Sequence, residues 1–241
     1  MTRLLTALVA LTLLLSPIPA QAQSLYTAKG VVAWSQAQLD GYYRTLFALQ
    51  GRTTEYRTPK VTVVPEGEYV YTGCGFGKGP RLAFYCPVDE QIVFSEEFAE
   101  ALHAEDDWLP AYVIAHEWAH HAQHLSGTGP RYDPEDGDWD QVYVIENELR
   151  ADCMSGSWMR SIAERGFLGA SDIPAVLMKA SQIGDMGLYG RGTSHGTGIE
   201  RLRAVFIGYE EGIIACMAVT PMPRVEAVTL PTDAVVNPSY E

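Results

Sequence analysis

Residues 111–125 read Ala-Tyr-Val-Ile-Ala-His-Glu-Trp-Ala-His-His-Ala-Gln-His-Leu. Within them, His116-Glu117-x-x-His120 has the form H-E-x-x-H. On a helix, positions four apart lie one above the other on one face. Both imidazoles can then aim a nitrogen at a single ion, about 2.0–2.1 Å away for zinc. Glu117, one residue round the same turn, can reach a water without occupying the ion. The apolar run Tyr112-Val113-Ile114-Ala115 ahead of the motif predicts a buried helix, where two imidazoles without partners would be costly. An amphipathic helix with ordinarily hydrogen-bonded histidines is the plainer alternative, and that burial argues against it.

A catalytic zinc site holds three protein groups and keeps one position open, so a third ligand must come from another segment. Residues 144–153, Val-Ile-Glu-Asn-Glu-Leu-Arg-Ala-Asp-Cys, are helical in character. Glu148 and Asp152 are four apart and share a face. Glu148 is expected as the ligand, and Asp152 as the acceptor for the second N–H of a ligand imidazole. Glu146 competes for the ligand role, but only Glu148 has Asp152 at that interval. A solvated acidic face is the other reading.

The residues now on the page resemble a known family. His-Glu-Trp-Ala-His-His-Ala-Gln at 116–123, Glu148-Leu-Arg-Ala-Asp-Cys153, and His195-Gly-Thr197 with Arg201 resemble the neutral zinc metallopeptidases of bacteria. That family's pattern is approximately H-E-x-G-H-H-x-Q, E-L-Q-A-D-C and T-H-G-T-x-x-Q-R. Cys74-Gly75 and Phe84-Tyr85-Cys86-Pro87 are similar to its segment ahead of the first motif, so the resemblance runs from about Cys74 to Cys216. It implies a single-zinc peptidase of gluzincin type, with His116, His120 and Glu148 as ligands and Glu117 as base. Ala119 stands where the family has Gly, Ser194 where it has Thr, and Glu200 where it has Gln. None of these is a proposed ligand.

Residues 1–22 carry the marks of an export signal. Arg3 precedes an apolar run from Leu4 to Leu15, then Ser16-Pro17-Ile18-Pro19 and the small-residue site Ala20-Gln21-Ala22. The run is shorter than the roughly 20 residues that span a bilayer; an uncleaved anchor is the competing reading, and the small-residue site favours cleavage, with no stable membrane insertion afterwards. A domain over 23–220 and an extended tail over 221–241 are expected to follow. The formal charge of −13 argues against nucleic acid and anionic membranes as partners. Four cysteines, Cys74, Cys86, Cys153 and Cys216, point to disulfides in an exported chain, periplasmic or secreted. Of the three pairings they allow, Cys74–Cys86 with Cys153–Cys216 is preferred: the first closes a glycine-rich loop and the second ties the ligand helix to the C-terminal region. A Cys₄ zinc site finds no Cys-x-x-Cys spacing to support it.

Periodicity predicts a helix over 34–50 with the stripe Trp34, Leu39, Tyr42, Tyr43, Leu46 and Phe47, stopping at Gly51. Further helices are expected at 96–104 with Ser95 as N-cap, from about Asp107 through the motif, at 141–165 ending at Gly166, from Ser171 to Ile183, and at 199–207 ending at Gly208. Strands are expected at 61–64, 69–71, 82–86 and 91–94, with Gly73, Gly75, Gly77 and Gly79 as a turn. Either 82–86 or 91–94 is expected to offer an unpaired edge to an extended substrate. Residues 127–140, rich in Gly, Pro and Asp, read as a loop over the cleft; Asp133, Asp136, Asp138 and Asp140 are out of register for an EF-hand. Trp118 and Trp158 read as packing residues.

Hydrolysis at a polarised carbonyl benefits from a donor aimed at the developing oxyanion. His195, Tyr189 and Arg201 can each donate, which makes His195 a candidate catalytic residue. The alternatives are that His195 pins its loop and that Arg201 pairs with an acidic side chain. His121 and His124 lie outside the ligand pair, although His124 continues its face; His103 is expected to be exposed or in the core. The sequence thus leads to one α+β, zincin-like domain with zinc (Zn²⁺) as cofactor, Glu117 as general base and a peptide or protein as substrate. Two other classes compete: a zinc-stabilised binding or chaperone-like module, and a metal-dependent amidase acting on cell-wall peptide. Glu117 favours turnover, since a purely structural site needs no base.

Overall fold

The aromatic stripe near the N-terminus lies in α1 (Ala28–Leu49), a helix that begins earlier than its periodicity announces because Thr27 caps it, its hydroxyl accepting the Gly30 N–H. Val31, Val32, Ser35, Leu39, Tyr43 and Phe47 are buried at the three- and four-residue spacing of one helix face. The structure is a computed structural model; it describes residues 25, 27–77, 82–129, 132–133, 138–139, 141–183 and 195–222. The export signal, Tyr189, Ser194 and all but the first two residues of the expected tail lie outside these.

A three-stranded sheet follows, with spatial order β1 (Lys60–Val64), β5 (Gln91–Ser95), β4 (Ala83–Cys86). The central β5 is buried at every position, as the unbroken apolar run Ile-Val-Phe requires; it runs parallel to β1 and antiparallel to β4. The segment expected as a glycine turn instead forms β3 (Gly75–Gly77), which pairs antiparallel with β2 (Val70–Thr72). Glycines carry no strand preference in sequence, so only the pairing reveals β3. The Cys74–Cys86 disulfide fastens this hairpin to the end of β4.

Ser95 ends β5 and caps α2 (Glu96–Glu105), its hydroxyl accepting the Phe98 N–H. The motif helix α3 (Leu109–Leu125) starts after Trp108 with Pro110 in its first turn. Asp106, not the expected Asp107, engages this start by accepting the Trp108 N–H. Most of α3 is buried, from Leu109 through Gln123 with few exceptions, and it packs against α1, α2, β4 and β5. Within the loop expected at 127–140, β6 (Tyr132–Asp133) and β7 (Asp138–Trp139) pair as a short ladder.

The helix that carries Glu148 and Asp152 is α4 (Gln141–Ala163), closed by Gly166 at φ 80°. The Gly166 and Phe167 N–H groups return to the Ala163 and Ile162 carbonyls, which satisfies the last turn. After α5 (Asp172–Gln182) comes α6 (Gly198–Glu211), longer than expected because Gly208 does not end it. A Cβ on Gly208 would lie 1.8 Å from the Cys153 carbonyl oxygen, and one on Gly156 would lie 2.1 Å from that of Val205. These two glycines let α4 and α6 cross with their backbones in contact. The Cys153–Cys216 disulfide joins α4 to the short 3₁₀ turn Ala215–Ala218 beyond α6.

One apolar core takes residues from α1 through α6 and β5, with Trp118 and Trp158 fully buried inside it. The result is a single α+β domain of the expected zincin-like kind: a small sheet on one side, and on the other the crossed helices that carry the two motifs. No helix among the described residues is long and apolar enough to cross a membrane.

Candidate metal centre

Helix α3 presents His116 and His120 on one face, and α4, packed across it, presents Glu148 to the same point. The Nε2 atoms of His116 and His120 lie 3.1 Å apart. Glu148 Oε2 is 3.1 Å from the first and Oε1 is 3.4 Å from the second. Among the described residues these three form the group whose ligating atoms all fall within 4.8 Å of one another. Zinc with arms of about 2.0–2.1 Å gives a tetrahedron with edges of about 3.3 Å, so the observed separations fit that ion.

Proton placement also fits. His116 Nδ1 lies 2.8 Å from Asp152 Oδ1; an ionised carboxylate only accepts, so Nδ1 carries a proton and Nε2 is the nitrogen that can turn a lone pair to an ion once its own proton is lost. His120 Nδ1 lies 2.9 Å from the Gln123 side-chain oxygen, another acceptor, and the same reasoning frees its Nε2. Two Nε2 atoms and a carboxylate converging in one place favour a positive charge there, a proton in the metal-free chain or a bound cation in its stead. Although burial disfavours the charged ring, Asp152 and Glu148 push the pKa of His116 up to about 10. Burial likewise opposes ionisation of Glu148, yet His120 and His116 hold it well below the usual carboxylate range.

Glu117 is buried one residue from His116 and lines the same cavity, of about 490 Å³. Ala83, Phe84 and Tyr85 of β4 form its facing wall. His195 is exposed and lines the cavity as well. His124 also lines it, though the ligand histidines draw their partners from elsewhere. Glu146 is engaged by Arg150 on its own helix, so Glu148 alone of the two acids reaches the cluster. His103 pairs with Asp107, 3.3 Å away.

Arg201, one of the candidate oxyanion donors, also lines the cavity. It is 4% exposed, and its Nε and Nη2 donate to Asp152 at 2.7 and 2.9 Å while Nη1 reaches the Ile183 carbonyl at 3.3 Å. Its fork is thereby committed to Asp152, the pairing that the sequence left open as the alternative. Burial raises the Asp152 pKa, but Arg201 and His116 outweigh it and hold the carboxyl well below its ordinary range.

Several residues at the site escaped the sequence reading. Tyr112 donates its hydroxyl to Asp152 at 2.8 Å; its place one helical turn before His116 was the available signal. Gln123 holds His120 and donates to the Asn147 carbonyl at 2.8 Å, and the Asn147 amide lies 3.3 Å from His120 Nδ1. His121, next to His120, points away from the cluster: its Nε2 donates to the Arg57 carbonyl at 2.6 Å, leaving Nδ1 to accept from Tyr85 at 3.0 Å.

A family model described as "Putative neutral zinc metallopeptidase" matches residues 19–217. The chain belongs to this family. Among similar proteins, uncharacterized protein YpfJ of Escherichia coli (strain K12) is 32% identical over 182 residues, covering 69% of this chain and 62% of its own length. Uncharacterized protein Rv2575 of Mycobacterium tuberculosis is 28% identical over 166 residues, covering 59% of this chain and 56% of its own. The chain thus spans about three-fifths of the length of the curated relatives it matches. No solved structure was found to match it. For a member of the neutral zinc metallopeptidase family, the substitution at Glu200 has a local explanation. The Glu200 carboxylate accepts the Thr197 N–H in a capping box at the start of α6, a place that takes Glu or Gln.

Proposed function

We propose that this chain is an exported zinc-dependent peptidase in which His116, His120 and Glu148 hold the ion and Glu117 is the general base. The observation that carries this reading is the convergence of two imidazole Nε2 atoms and one carboxylate beside a buried Glu117 in an open cavity. Zinc bound there supplies Lewis acidity to the scissile carbonyl and lowers the pKa of water. Glu117 accepts a proton from the attacking water and delivers it to the leaving amine nitrogen, so the water is divided across the broken amide bond. Asp152 and Gln123 hold the two rings so that Nε2 faces inward throughout. His195, at the cavity rim, is the remaining described candidate for donating to the oxyanion.

The edge of the sheet supports a peptide as substrate. Because β5 is the middle strand, 91–94 cannot offer an edge and β4 can. Leu82 turns its carbonyl to Ser95 across the β4–β5 pair, so alternation turns the backbone groups of Ala83 and Tyr85 outward. An extended peptide of any sequence can pair with such an edge. Export is supported by the leader-like residues 1–22 and by the two disulfides.

The test is hydrolysis of an unfolded protein by the purified chain before and after metal removal. Cleavage that is lost with a chelator and restored by about one equivalent of zinc is expected. Cleavage that survives complete removal of metal would contradict the reading.

A further inference from the structure

Asp152 is fully buried and accepts from four donors: the Tyr112 hydroxyl, His116 Nδ1, and Nε and Nη2 of Arg201. Three of these contacts meet Oδ1 and one meets Oδ2, so the plane of the carboxylate is fixed from several sides. Arg201 supplies half of those contacts from α6, a helix that carries no proposed ligand. Its third nitrogen grips the Ile183 carbonyl, just past the end of α5. One guanidinium therefore links α5 and α6 to the carboxylate on α4 that holds the His116 ring on α3.

The residues ahead of Arg201 fix where it stands. Thr197 and Glu200 form a reciprocal capping box that sets the first turn of α6. Glu200 also accepts the Met222 N–H at 2.8 Å. Gly198 lies so close to α5 that a Cβ would meet the Ser181 carbonyl oxygen at 2.1 Å. The last two contacts lock the start of α6 against neighbouring segments, one turn or less from Arg201.

We propose that Arg201 is a positioning residue for the metal centre, acting through Asp152 on His116, and that residues 197–201 serve to deliver it there. This rests on the reading of His116, His120 and Glu148 as zinc ligands. Arg201 touches neither ion nor substrate in this role. It holds the carboxylate whose orientation fixes the ring, and a bidentate fork does this where a single ammonium donor does not.

The experiment measures zinc affinity of the disulfide-bonded chain by competition with a chromophoric chelator, the visible spectrum of the cobalt-substituted protein, and thermal midpoints. Arg201→Lys keeps the charge but not the fork. It is expected to weaken zinc binding about tenfold or more and to shift the cobalt bands. Thr197→Val, which removes the cap without touching Arg201, is a milder variant expected to move both readouts in the same direction. Val205→Ala, in the core on the same helix, is expected to lower the midpoint while leaving affinity and spectrum as in the wild type. Arg201→Lys that binds zinc as tightly as the wild type with an unchanged cobalt spectrum overturns the proposal. So does Val205→Ala reproducing the loss, since general loosening of α6 would then suffice. A wild type that takes up no zinc overturns the metal reading and this proposal together, a result distinct from either.

Discussion

His116 and His120 face the same point but are held differently, one by a buried carboxylate and the other by an amide. A charged acceptor makes the stronger bond, so the two partners should contribute unequally to the site. Asp152→Asn is expected to lower zinc affinity by about 10–100-fold, and Gln123→Ala by about tenfold or less; competition titration measures both. The metal-free site also has a pH signature. His116 is raised from 6.5 to about 10, above its unfolded value, so its contribution to stability is complete below about pH 6.5 and is lost as pH climbs through about 10. Thermal midpoints of the chelator-treated chain should fall across that window, while zinc affinity rises as the ion meets less competition from the proton. A flat midpoint over the same range would contradict a charged His116 held between Asp152 and Glu148 in the metal-free chain. At this scale the convergence of His116, His120 and Glu148 was legible because their order along two helices fixes their geometry. The partner of Arg201 was not, because it lies 49 residues away and only packing brings it there.

Helices and strands with a clear period were equally legible, and glycine marks where that reading gave out. Gly51 and Gly166 do follow helix ends, but Gly208 lies inside α6 because its missing Cβ is what admits the Cys153 carbonyl. A glycine that stops a helix and one that lets two helices touch look alike in sequence. They should differ sharply on substitution. Gly208→Ala is expected to destabilise by at least about 3 kcal/mol, or to block folding, since backbone must move to admit the methyl. Gly41→Ala, in the middle of α1 with nothing within 4 Å of the added carbon, should stabilise by about 0.5–1 kcal/mol. Chemical denaturation of the two variants separates them. Strand β3 was missed for a related reason: Gly-Phe-Gly has no strand signature of its own, and its pairing partner and disulfide define it.

The whole molecule brings three separated sequence motifs to one place. Helix α3 carries His116, His120 and Glu117, α4 carries Glu148 and Asp152, and α6 the arginine that pairs with Asp152. The sheet stands opposite with β4 at its edge, next to the cavity. If substrate binds along that edge, a peptide added to the zinc-loaded Glu117→Gln chain should slow amide exchange at Ala83 and Tyr85, whose groups face outward, and leave Phe84 unchanged. Equal protection along β4 would contradict strand addition. The α+β class and the helix pair that builds the site could be read from the chain; which strand is the edge could not, because strand order is decided by pairings distant in sequence. The central claim, that Glu117 serves a zinc peptidase, is tested most directly by cleavage of an unfolded protein by zinc-loaded wild type beside zinc-loaded, folded Glu117→Gln. The account predicts cleavage by the first and a loss of at least about 100-fold in the second. Equal cleavage by both, or none by either while both hold zinc, would contradict it.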